Sequence, residues 1–340
     1  MTTLAHTGPL PVIRSAPAVV AMGGGHGLAV TLAALRHLTP RLTAVVTVAD
    51  DGGSSGRLRQ EFAVLPPGDL RMALAALTDE SEWGRVWRDV LQHRFDSSGE
   101  LSGHALGNLL IVALWQLLGN PCDALELIGR LLGASGRVLP MAEVPLTVEA
   151  DITRVVEDGE EWTTTIRGQH RVAVAGGRVD AIRLDPADAP ACPEAVAALS
   201  VADWIVLGPG SWYTSVIPHV LIPELASAIA TSKARKMVVL NLTGQAGETA
   251  GFSPVDHLAA LSEYAPMIEF DVILADTTLR EGLASFRPPG NGRVLIRNVK
   301  SASALGSHDE LRLASAYRDA FGEFDGSSRN NAHQGGPGWR

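Results

Sequence analysis

Four glycines and one histidine make up residues 23–27, directly after the short apolar segment 18–22. Glycine lets a backbone approach a ligand closely, and N–H groups at the start of a helix attract phosphate. Residues 28–38 follow with leucines at helical spacing, so the pattern predicts a strand, a phosphate-binding turn and a helix. A plain tight turn would give the same pattern. The predicted ligand-binding residues of this turn are Gly23, Gly24, Gly25, His26 and Gly27.

This glycine-rich turn lacks the residues that define two common nucleotide-binding motifs. A P-loop requires a lysine after its last glycine, and the sequence contains no lysine before Lys233. The dinucleotide fingerprint requires a third glycine three residues after Gly25 or Gly27, where Leu28 and Val30 stand. The pattern therefore excludes a P-loop. An NAD-dependent oxidoreductase remains as an alternative that rests on the strand, glycine and helix order alone.

A second polar loop follows the apolar segment 42–48. Asp50 and Asp51 stand where an acidic residue often binds a ribose hydroxyl or a metal ion, although turn aspartates would fit as well. The next six residues, GGSSGR, carry no apolar side chain, so they face solvent or a ligand. Arg57 and Arg59 are candidate phosphate contacts or residues of a solvated helix start. The predicted ligand-binding residues here are Asp50, Asp51, Gly52, Gly53 and Ser54.

Two predicted helices start with polar residues that could face the same ligand. Asp69 is placed as the N-cap of one helix, and Arg71 follows in its first turn, where the helix dipole disfavours a cation. Arg71 therefore indicates an anionic partner, which is either a ligand or a neighbouring aspartate. His104 and Asn108 are four residues apart at the start of another helix, so they share a face. They either contact a ligand or cap that helix.

Two more polar loops follow the apolar segments 204–207 and 237–242. Ligands bind at the carboxyl ends of parallel strands, so loops that all follow strands predict one shared site. The hydroxyls and amides here suit phosphate, sugar or a base edge, and no Gly-x-Ser-x-Gly elbow indicates a hydrolytic nucleophile. No catalytic residue and no metal ligand is assigned. The predicted ligand-binding residues are Gly208, Gly210, Ser211, Thr214, Asn241 and Glu248.

The order of these segments predicts an α/β fold with a mostly parallel sheet. The alternation breaks at residues 144–184, where short apolar runs at 144–150, 163–166, 171–175 and 178–184 predict a small β-rich insertion. The almost wholly apolar segment 106–118 predicts a helix buried beneath the sheet. The expected organisation is a flexible N-terminus at 1–17, a single domain at 18–325 and a disordered tail at 326–340.

Composition limits the class of protein further. Hydrophobic residues make up 46% of the 340-residue chain, and the net charge of −9 argues against a protein that coats nucleic acid. No run of about 18 apolar residues predicts a membrane-spanning helix. Two cysteines without Cys-x-x-Cys spacing favour a reducing compartment, so we expect a cytoplasmic protein without membrane insertion.

Six stretches of the sequence resemble a known family. They are residues 23–27, 47–59 (TVADDGGSSGRLR), 66–71 (PPGDLR), 102–110 (SGHALGNLL), 208–221 (GPGSWYTSVIPHVL) and 247–251 (GETAG). The sequence is similar to the gluconeogenesis-factor (YvcK-like) branch of the superfamily, also called UPF0052, that includes the 2-phospho-L-lactate transferase CofD. This resemblance implies a Rossmann-like three-layer αβα sandwich. The sequence departs from the family pattern at His26, where a threonine is usual, and at Met72, where an asparagine is usual.

The resemblance also implies a function. Members of the branch are cytoplasmic, bind nucleotide sugars such as UDP-N-acetylglucosamine, and are tied to cell shape and envelope growth under gluconeogenic conditions. A non-catalytic regulator, with a homodimer as its candidate assembly, is the first expectation. The alternative is a transferase of a phosphoryl-linked group from a nucleoside-diphosphate carrier. Asp50 and Asp51 would then hold Mg²⁺, the candidate cofactor, at the diphosphate.

Overall fold

A computed structural model describes residues 16–155, 160–245, 247–304 and 306–332 of the chain, with side chains up to Phe324. Residues 1–15 and 333–340, which belong to the predicted flexible N-terminus and disordered tail, lie outside this description. The strands are β1 (Val19–Gly23), β2 (Leu42–Val46), β3 (Arg137–Pro140), β4 (Thr147–Val155), β5 (Glu161–Arg167), β6 (Arg178–Asp185), β7 (Trp204–Leu207), β8 (Arg235–Val239), β9 (Val272–Asp276) and β10 (Arg293–Arg297).

Helices alternate with these strands. They are α1 (Gly25–Leu35), α2 (Gly53–Phe62), α3 (Pro67–Leu77), α4 (Glu82–Gln92), α5 (Leu106–Leu118), α6 (Pro121–Leu132), α7 (Gln169–Ala173), α8 (Pro193–Ser200), α9 (Pro218–Leu221), α10 (Pro223–Thr231), α11 (Pro254–Tyr264) and α12 (Glu310–Ala332), with a π-helical turn at Trp212–Val216 and a 3₁₀ turn at Thr277–Leu279. Among the described residues, no helix combines the length and apolarity that crossing a bilayer requires.

Seven strands form one parallel sheet in the order β10-β9-β8-β7-β1-β2-β3. The strands β1 and β7 are buried along their whole length, because helices cover both faces of the sheet and every side chain needs an apolar environment. The chain starts in the middle of the sheet, builds β2 and β3 on one side, and then returns to build β7 to β10 on the other. The strand order therefore reverses between β1 and β7, where a crevice opens at their carboxyl ends.

The helices lie in two groups. The helices α1, α3 and α6 pack on β1, β2 and β3, and α12 packs beside α1, whereas α10 packs against α8 and α9. The predicted Rossmann-like αβα sandwich with a mostly parallel sheet is confirmed. The prediction that the apolar helix α5 lies beneath the sheet is wrong. Because α3 and α6 already contact β2 and β3, α5 packs on helices in an outer layer and leaves Leu117 75% exposed.

The β-rich insertion is an antiparallel sheet in the order β5-β4-β6. The strand predicted at 171–175 is wrong, because residues 169–173 form helix α7, which buries Val172. At the other end of the chain, α12 continues past Gly326, where the sequence predicts the start of a disordered tail. A helix that is already formed gains one hydrogen bond for each residue added, so polar residues can extend it.

Candidate functional site

A cavity of about 600 Å³ lies at the crevice between β1 and β7. Its walls come from the loops that follow β1, β2 and β7 and from the first turns of several helices. Fourteen residues predicted to bind a ligand line it together: Gly24, Gly25, His26, Gly27, Asp50, Gly52, Gly53, Ser54, Asp69, Arg71, Asn108, Gly210, Ser211 and Thr214. Ser55, Gly68, Met72, Arg94, Gln169, His170, Ala173, Ser215 and Gln245 complete the lining.

Two glycines of the first loop are required by close packing. A Cβ on Gly24 would lie 2.5 Å from a carboxylate oxygen of Asp69, and a Cβ on Gly27 would lie 2.2 Å from the carbonyl oxygen of Pro209. These contacts hold α1 against the loops after β2 and β7. The glycines at 23–27 therefore have two physical reasons: they open the loop to the cavity, and they let backbone segments approach each other closely.

Three helices start at the cavity and direct their N-terminal ends into it. The N-cap residues of α1, α2 and α3 contribute no capping side chain of their own. Two carboxyl groups from other positions accept hydrogen bonds at these starts, Asp50 from the Gly52 N–H and Asp69 from the Gly25 backbone. The N–H groups of a first helical turn have no acceptor inside the helix, and the helix dipole adds a partial positive charge there. The convergence of these helix starts, each on a helix of at least 10 residues, makes the cavity suited to an anion such as a diphosphate.

Two carboxyl groups face the same cavity. Asp50 accepts a hydrogen bond from the Gly52 N–H at 2.9 Å, and the carboxyl of Asp69 lies beneath Gly24. Although part of the Asp69 residue remains accessible, burial of its carboxyl and the neighbouring Asp50 raise its pKa to about 7. A hydrogen bond from the Gly25 backbone and the charge of Arg71 oppose this increase. Asp69 therefore holds its proton far more readily than an ordinary aspartate does.

The second aspartate of the predicted pair, Asp51, has a different place. Its Oδ1 accepts a hydrogen bond from the His170 backbone N–H at 2.9 Å, and its Oδ2 lies against Gly168. Asp51 thus fixes the start of α7 and does not line the cavity. The hypothesis that Asp50 and Asp51 together hold Mg²⁺ is corrected accordingly, because the second carboxylate in the cavity is that of Asp69.

Ser54 is the centre of a buried hydrogen-bond cluster at the start of α2. Its Oγ accepts from Asn108 Nδ2 at 3.0 Å and from the Ala105 N–H at 3.4 Å, and it lies 2.9 Å from His104 Nδ1. The hydroxyl proton is left for Nδ1, so His104 is neutral with its proton on Nε2. Burial and the nearby Arg57 lower the pKa of His104, which agrees with this tautomer. His104 therefore orients Ser54 instead of lining the cavity.

Three side-chain amides present oxygen atoms without partners. Asn108 Oδ1, Gln169 Oε1 and Gln245 Oε1 are buried, and none finds a hydrogen-bond partner among the described residues. The amide nitrogens of these side chains donate to Ser54, to the Thr214 carbonyl and to Ser211. All three side chains line the cavity, so the fold leaves three amide acceptors unused beside it.

Arg71 and Arg94 add positive charge at one end of the cavity. Arg71 is 4% exposed and donates to Gln92 Oε1 at 2.6 Å, while its Nε has no partner within the described ranges. Burial, followed by repulsion from Arg94, lowers the pKa of Arg71 to about 10, so it remains a cation at neutral pH. Both arginines, with His26 and Met72, also line a second cavity of about 570 Å³ between α1 and α3.

The remaining predicted site residues lie behind the cavity wall. Asn241 forms two hydrogen bonds with the backbone of Gly210, at 2.8 and 3.0 Å. Buried Glu248 accepts from the Tyr213 N–H and from the Thr214 hydroxyl, at 3.1 and 2.7 Å. These side chains hold the loop after β7 in place. Gly23 is the last residue of β1, and the carbonyl of Gly208 lies 3.3 Å from the Thr31 hydroxyl.

Comparison with known proteins identifies the family. The family model for the 2-phospho-L-lactate transferase CofD matches residues 19–287. A Mycobacterium tuberculosis protein is 55% identical over 258 residues, which cover 76% of this chain and 75% of the relative. The chain belongs to the CofD family. A Listeria monocytogenes protein named gluconeogenesis factor is 37% identical over 318 residues, 94% of this chain and 93% of the relative, so the CofD-family chain lies in the YvcK-like branch.

A solved structure agrees with this assignment. The crystal structure of a UPF0052 family member from Bacillus halodurans is 34% identical in sequence and has a TM-score of 0.75. The superposition covers 88% of this CofD-family chain and 97% of the other. The two proteins therefore share their fold over most of this chain.

Gln169, His170 and Arg94 of the CofD-family site were not predicted from the sequence. Gln169 and His170 belong to α7, in a segment predicted as insertion, and Arg94 carries no spacing that marks a site. Gln245 belongs to the polar loop after residues 237–242, whose amide groups the sequence indicates as ligand contacts. Arg94 lies just after α4 and reaches the cavity only because its Nη1 donates to the Gly103 carbonyl at 2.8 Å.

Proposed function

We propose that this CofD-family chain binds a nucleotide sugar in the cavity between β1 and β7, with UDP-N-acetylglucosamine as the representative ligand. One observation carries the proposal: the starts of α1, α2 and α3, whose N-cap residues contribute no capping side chain, converge on one cavity. This arrangement supports a diphosphate as the anchoring group, because backbone N–H groups and helix dipoles attract its charge without a P-loop lysine.

The rest of the lining supports a neutral, hydroxyl-rich group on one side of the diphosphate. The unpartnered oxygens of Asn108, Gln169 and Gln245 accept hydrogen bonds, and a sugar or a base edge supplies donors for them. A volume of about 600 Å³ lies within the usual range for small-molecule sites. Arg71 and Arg94 favour an anionic ligand further.

The biological role that we propose is regulation, in the cytoplasm, of cell shape and envelope growth under gluconeogenic conditions. The name gluconeogenesis factor, carried by the Listeria and Bacillus subtilis relatives, supports a role of this kind. A binding protein that senses a nucleotide-sugar precursor of the envelope would connect carbon supply to growth. Loss of cell shape on a gluconeogenic carbon source after deletion, with rescue by the wild-type gene but not by a ligand-blind variant, tests this part.

A charge substitution in the first loop tests the anchoring group. A Cβ on Gly25 would have no described atom within 4 Å, and its φ of +56° is one that aspartate and asparagine tolerate better than most residues. Gly25→Asp places a carboxylate at the start of α1, whereas Gly25→Asn has nearly the same shape without the charge. We expect Gly25→Asp to bind UDP-N-acetylglucosamine at least about tenfold more weakly than Gly25→Asn in calorimetry. Equal affinities, or no binding by the wild type at millimolar ligand, would contradict the proposal.

The Mg²⁺-dependent transferase is the second candidate, and the Asp50 and Asp69 pair favours it. Two carboxyl groups beside a diphosphate site fit a hard cation, which takes oxygen ligands and would stabilise the charge on a leaving diphosphate. Phosphorus NMR of a nucleoside-diphosphate donor with Mg²⁺ tests turnover. Catalysis would be supported if Asp69→Asn abolishes product formation and Asp89→Asn does not. Asp89→Asn is the control, because it changes an exposed carboxylate on α4. A product-free incubation of the wild type would exclude it.

A further inference from the structure

The two cysteines of the chain meet at the starts of α6 and α8, and neither lines the cavity between β1 and β7. Cys122 is the second residue of α6, and Cys192 directly precedes α8. Although 70 residues separate them in sequence, their sulfur atoms lie 3.6 Å apart. Glu194, in the first turn of α8, brings its Oε2 to 3.2 Å from the sulfur of Cys192. Both thiols are free, and all three ligand atoms lie within 4.8 Å of one another.

We infer that Cys122, Cys192 and Glu194 form a binding site for a thiophilic divalent cation, with Zn²⁺ as the representative ion. Zn²⁺ binds sulfur at about 2.3 Å and carboxylate oxygen at about 2.0 to 2.2 Å in tetrahedral geometry. Those bond lengths require sulfur atoms about 3.8 Å apart and a sulfur-to-oxygen distance of about 3.5 Å. The separations of 3.6 and 3.2 Å need only a small adjustment to receive the ion.

The charges of the three groups also favour a cation. Both cysteines lie at helix starts, and Asn120 Oδ1 accepts the backbone N–H of Cys122 at 2.7 Å. A carboxylate beside two thiolates would be repelled by them unless a proton or a cation lies between. A metal ion removes this repulsion and uses all three groups as ligands.

The position of the cluster leaves room for a fourth ligand. Cys122 is partly exposed and lines a cavity of about 250 Å³ between α6 and β3. A water molecule can reach the metal through this cavity and complete a tetrahedral site with three protein ligands. Arg137, which also lines the cavity, is paired with Glu126 at a distance of 3.8 Å.

Oxidation is the competing use of the same sulfur pair. Hydrogen peroxide could take two electrons from the thiols, with formation of one S–S bond and release of two water molecules. That reaction has no need of Glu194, whose negative charge beside Cys192 disfavours the thiolate that attacks peroxide. The presence of a carboxylate as the third member of the cluster therefore favours metal binding over a disulfide pair.

Titration of the reduced full-length chain with Co²⁺, a spectroscopic substitute for Zn²⁺, tests the site. We expect a sulfur-to-cobalt charge-transfer band and intense visible bands of tetrahedral Co²⁺, which saturate at one equivalent and disappear when Zn²⁺ is added. Because the chain has two cysteines in all, such a band must arise from Cys122 and Cys192. The wild type alone decides this first step, so it does not depend on any variant folding.

Two variants then separate a built site from surface binding. Glu194→Gln should weaken Co²⁺ binding at least about tenfold. Loss of a residue that only hydrogen-bonds to a ligand already lowers metal affinity by about that factor, and loss of a ligand should lower it no less. Glu126→Gln, at an exposed carboxylate of α6 that lines the same cavity, should leave the affinity unchanged. Bound Zn²⁺ should also slow peroxide oxidation of the thiols at least about tenfold. Absence of the charge-transfer band, equal effects of the two variants, or oxidation at the same rate with and without Zn²⁺ would overturn the inference.

Discussion

Asp69 is the titratable group of the cavity whose charge depends most on its surroundings. Its raised pKa of about 7 means that the folded chain keeps a proton that the unfolded chain releases near pH 4. Between these two values the folded state binds more protons than the unfolded state does. The stability contributed by this group is therefore complete below about pH 4 and is lost as the pH rises towards 7.

We expect Asp69→Asn to remove this loss. Its free energy of unfolding relative to the wild type should rise between pH 4 and pH 7, by on the order of 2 kcal/mol after allowance for partial solvent access. Urea denaturation at several pH values measures the difference. Asp89→Asn, at an exposed aspartate of α4, is the control and should follow the wild type. A pH-independent difference in the free energy of unfolding between Asp69→Asn and the wild type would show that burial does not raise the pKa of this carboxyl.

Asn108 connects the Ser54 cluster to the cavity through its unpartnered oxygen. Asn108→Ala removes a hydrogen bond to Ser54, but it also removes a buried oxygen that lacks a partner among the described residues. We therefore expect a loss of only about 1 kcal/mol in stability together with about a tenfold loss of affinity for UDP-N-acetylglucosamine. Calorimetry and urea denaturation of one preparation measure both. Unchanged affinity with lowered stability would make Asn108 a purely structural residue.

At the residue scale, the sequence indicates which loops meet but not which way each side chain faces. Asp50 and Asp51 are adjacent and chemically identical, yet only Asp50 lines the cavity, because the His170 N–H at the start of α7 donates to Asp51. Glu248 is a carboxylate in a polar loop and was therefore predicted to contact a ligand, but it accepts a hydrogen bond from the Thr214 hydroxyl. These choices depend on segments more than 30 residues away, which no local pattern encodes.

At the element scale, the two glycines of the first helix have different functions. Gly27 lets α1 touch the Pro209 carbonyl, whereas Gly25 supplies a φ of +56° at a point where a Cβ would meet no described atom within 4 Å. The first is a packing requirement between α1 and the loop after β7. The second is a conformational requirement of the turn alone.

Substitution by alanine should separate these requirements. We expect Gly27→Ala to lower the free energy of unfolding by about 2 to 3 kcal/mol, because its Cβ would lie 2.2 Å from the Pro209 carbonyl oxygen and the two segments would have to move apart. Gly25→Ala should cost about 1 kcal/mol, the usual penalty for a left-handed residue with a Cβ. Urea denaturation gives both values. If the two variants lose equal stability, the close approach of α1 to Pro209 is not a constraint on the fold.

The element boundaries that the sequence predicts best are those set by a continuous apolar run. The strand at 204–207 and the helix at 106–118 match β7 and α5 at both ends. The location of α5 could not be predicted, because an almost wholly apolar helix has no polar side that would show which face is buried. The helices α3 and α6 contact the sheet in its place. Residues 172–175 (VAVA) form a continuous apolar run typical of a strand, but packing of Val172 and the Asp51 contact favour a helix at 169–173.

At the scale of the whole molecule, the cavity joins three separate parts of the chain. The loops after β1 and β2 come from one half of the sheet, the loop after β7 comes from the other half, and α7 comes from the insertion. Asp51 connects the insertion to the main domain at the edge of the cavity. The sequence predicts an insertion there, but it does not indicate that the insertion supplies Gln169 and His170 to the site.

Asp51→Ala tests whether this connection matters for binding. The substitution releases the His170 N–H at the start of α7, so we expect faster amide exchange in residues 169–173 and about a tenfold loss of nucleotide-sugar affinity through lost preorganisation. The main sheet keeps its core, so global stability should fall by only about 1 kcal/mol. Hydrogen exchange by mass spectrometry and calorimetry measure these effects.

The matched control for that experiment lies in the same small sheet. Asp151→Ala breaks an ion pair with Arg183, of 2.6 Å, on an exposed surface of the insertion and leaves the Asp51 contact in place. It should leave both exchange at 169–173 and ligand affinity near the wild-type values, because exposed pairs contribute little to stability. If Asp51→Ala and Asp151→Ala behave alike, α7 is held by the packing of Val172 alone, and the insertion needs no carboxylate to complete the cavity.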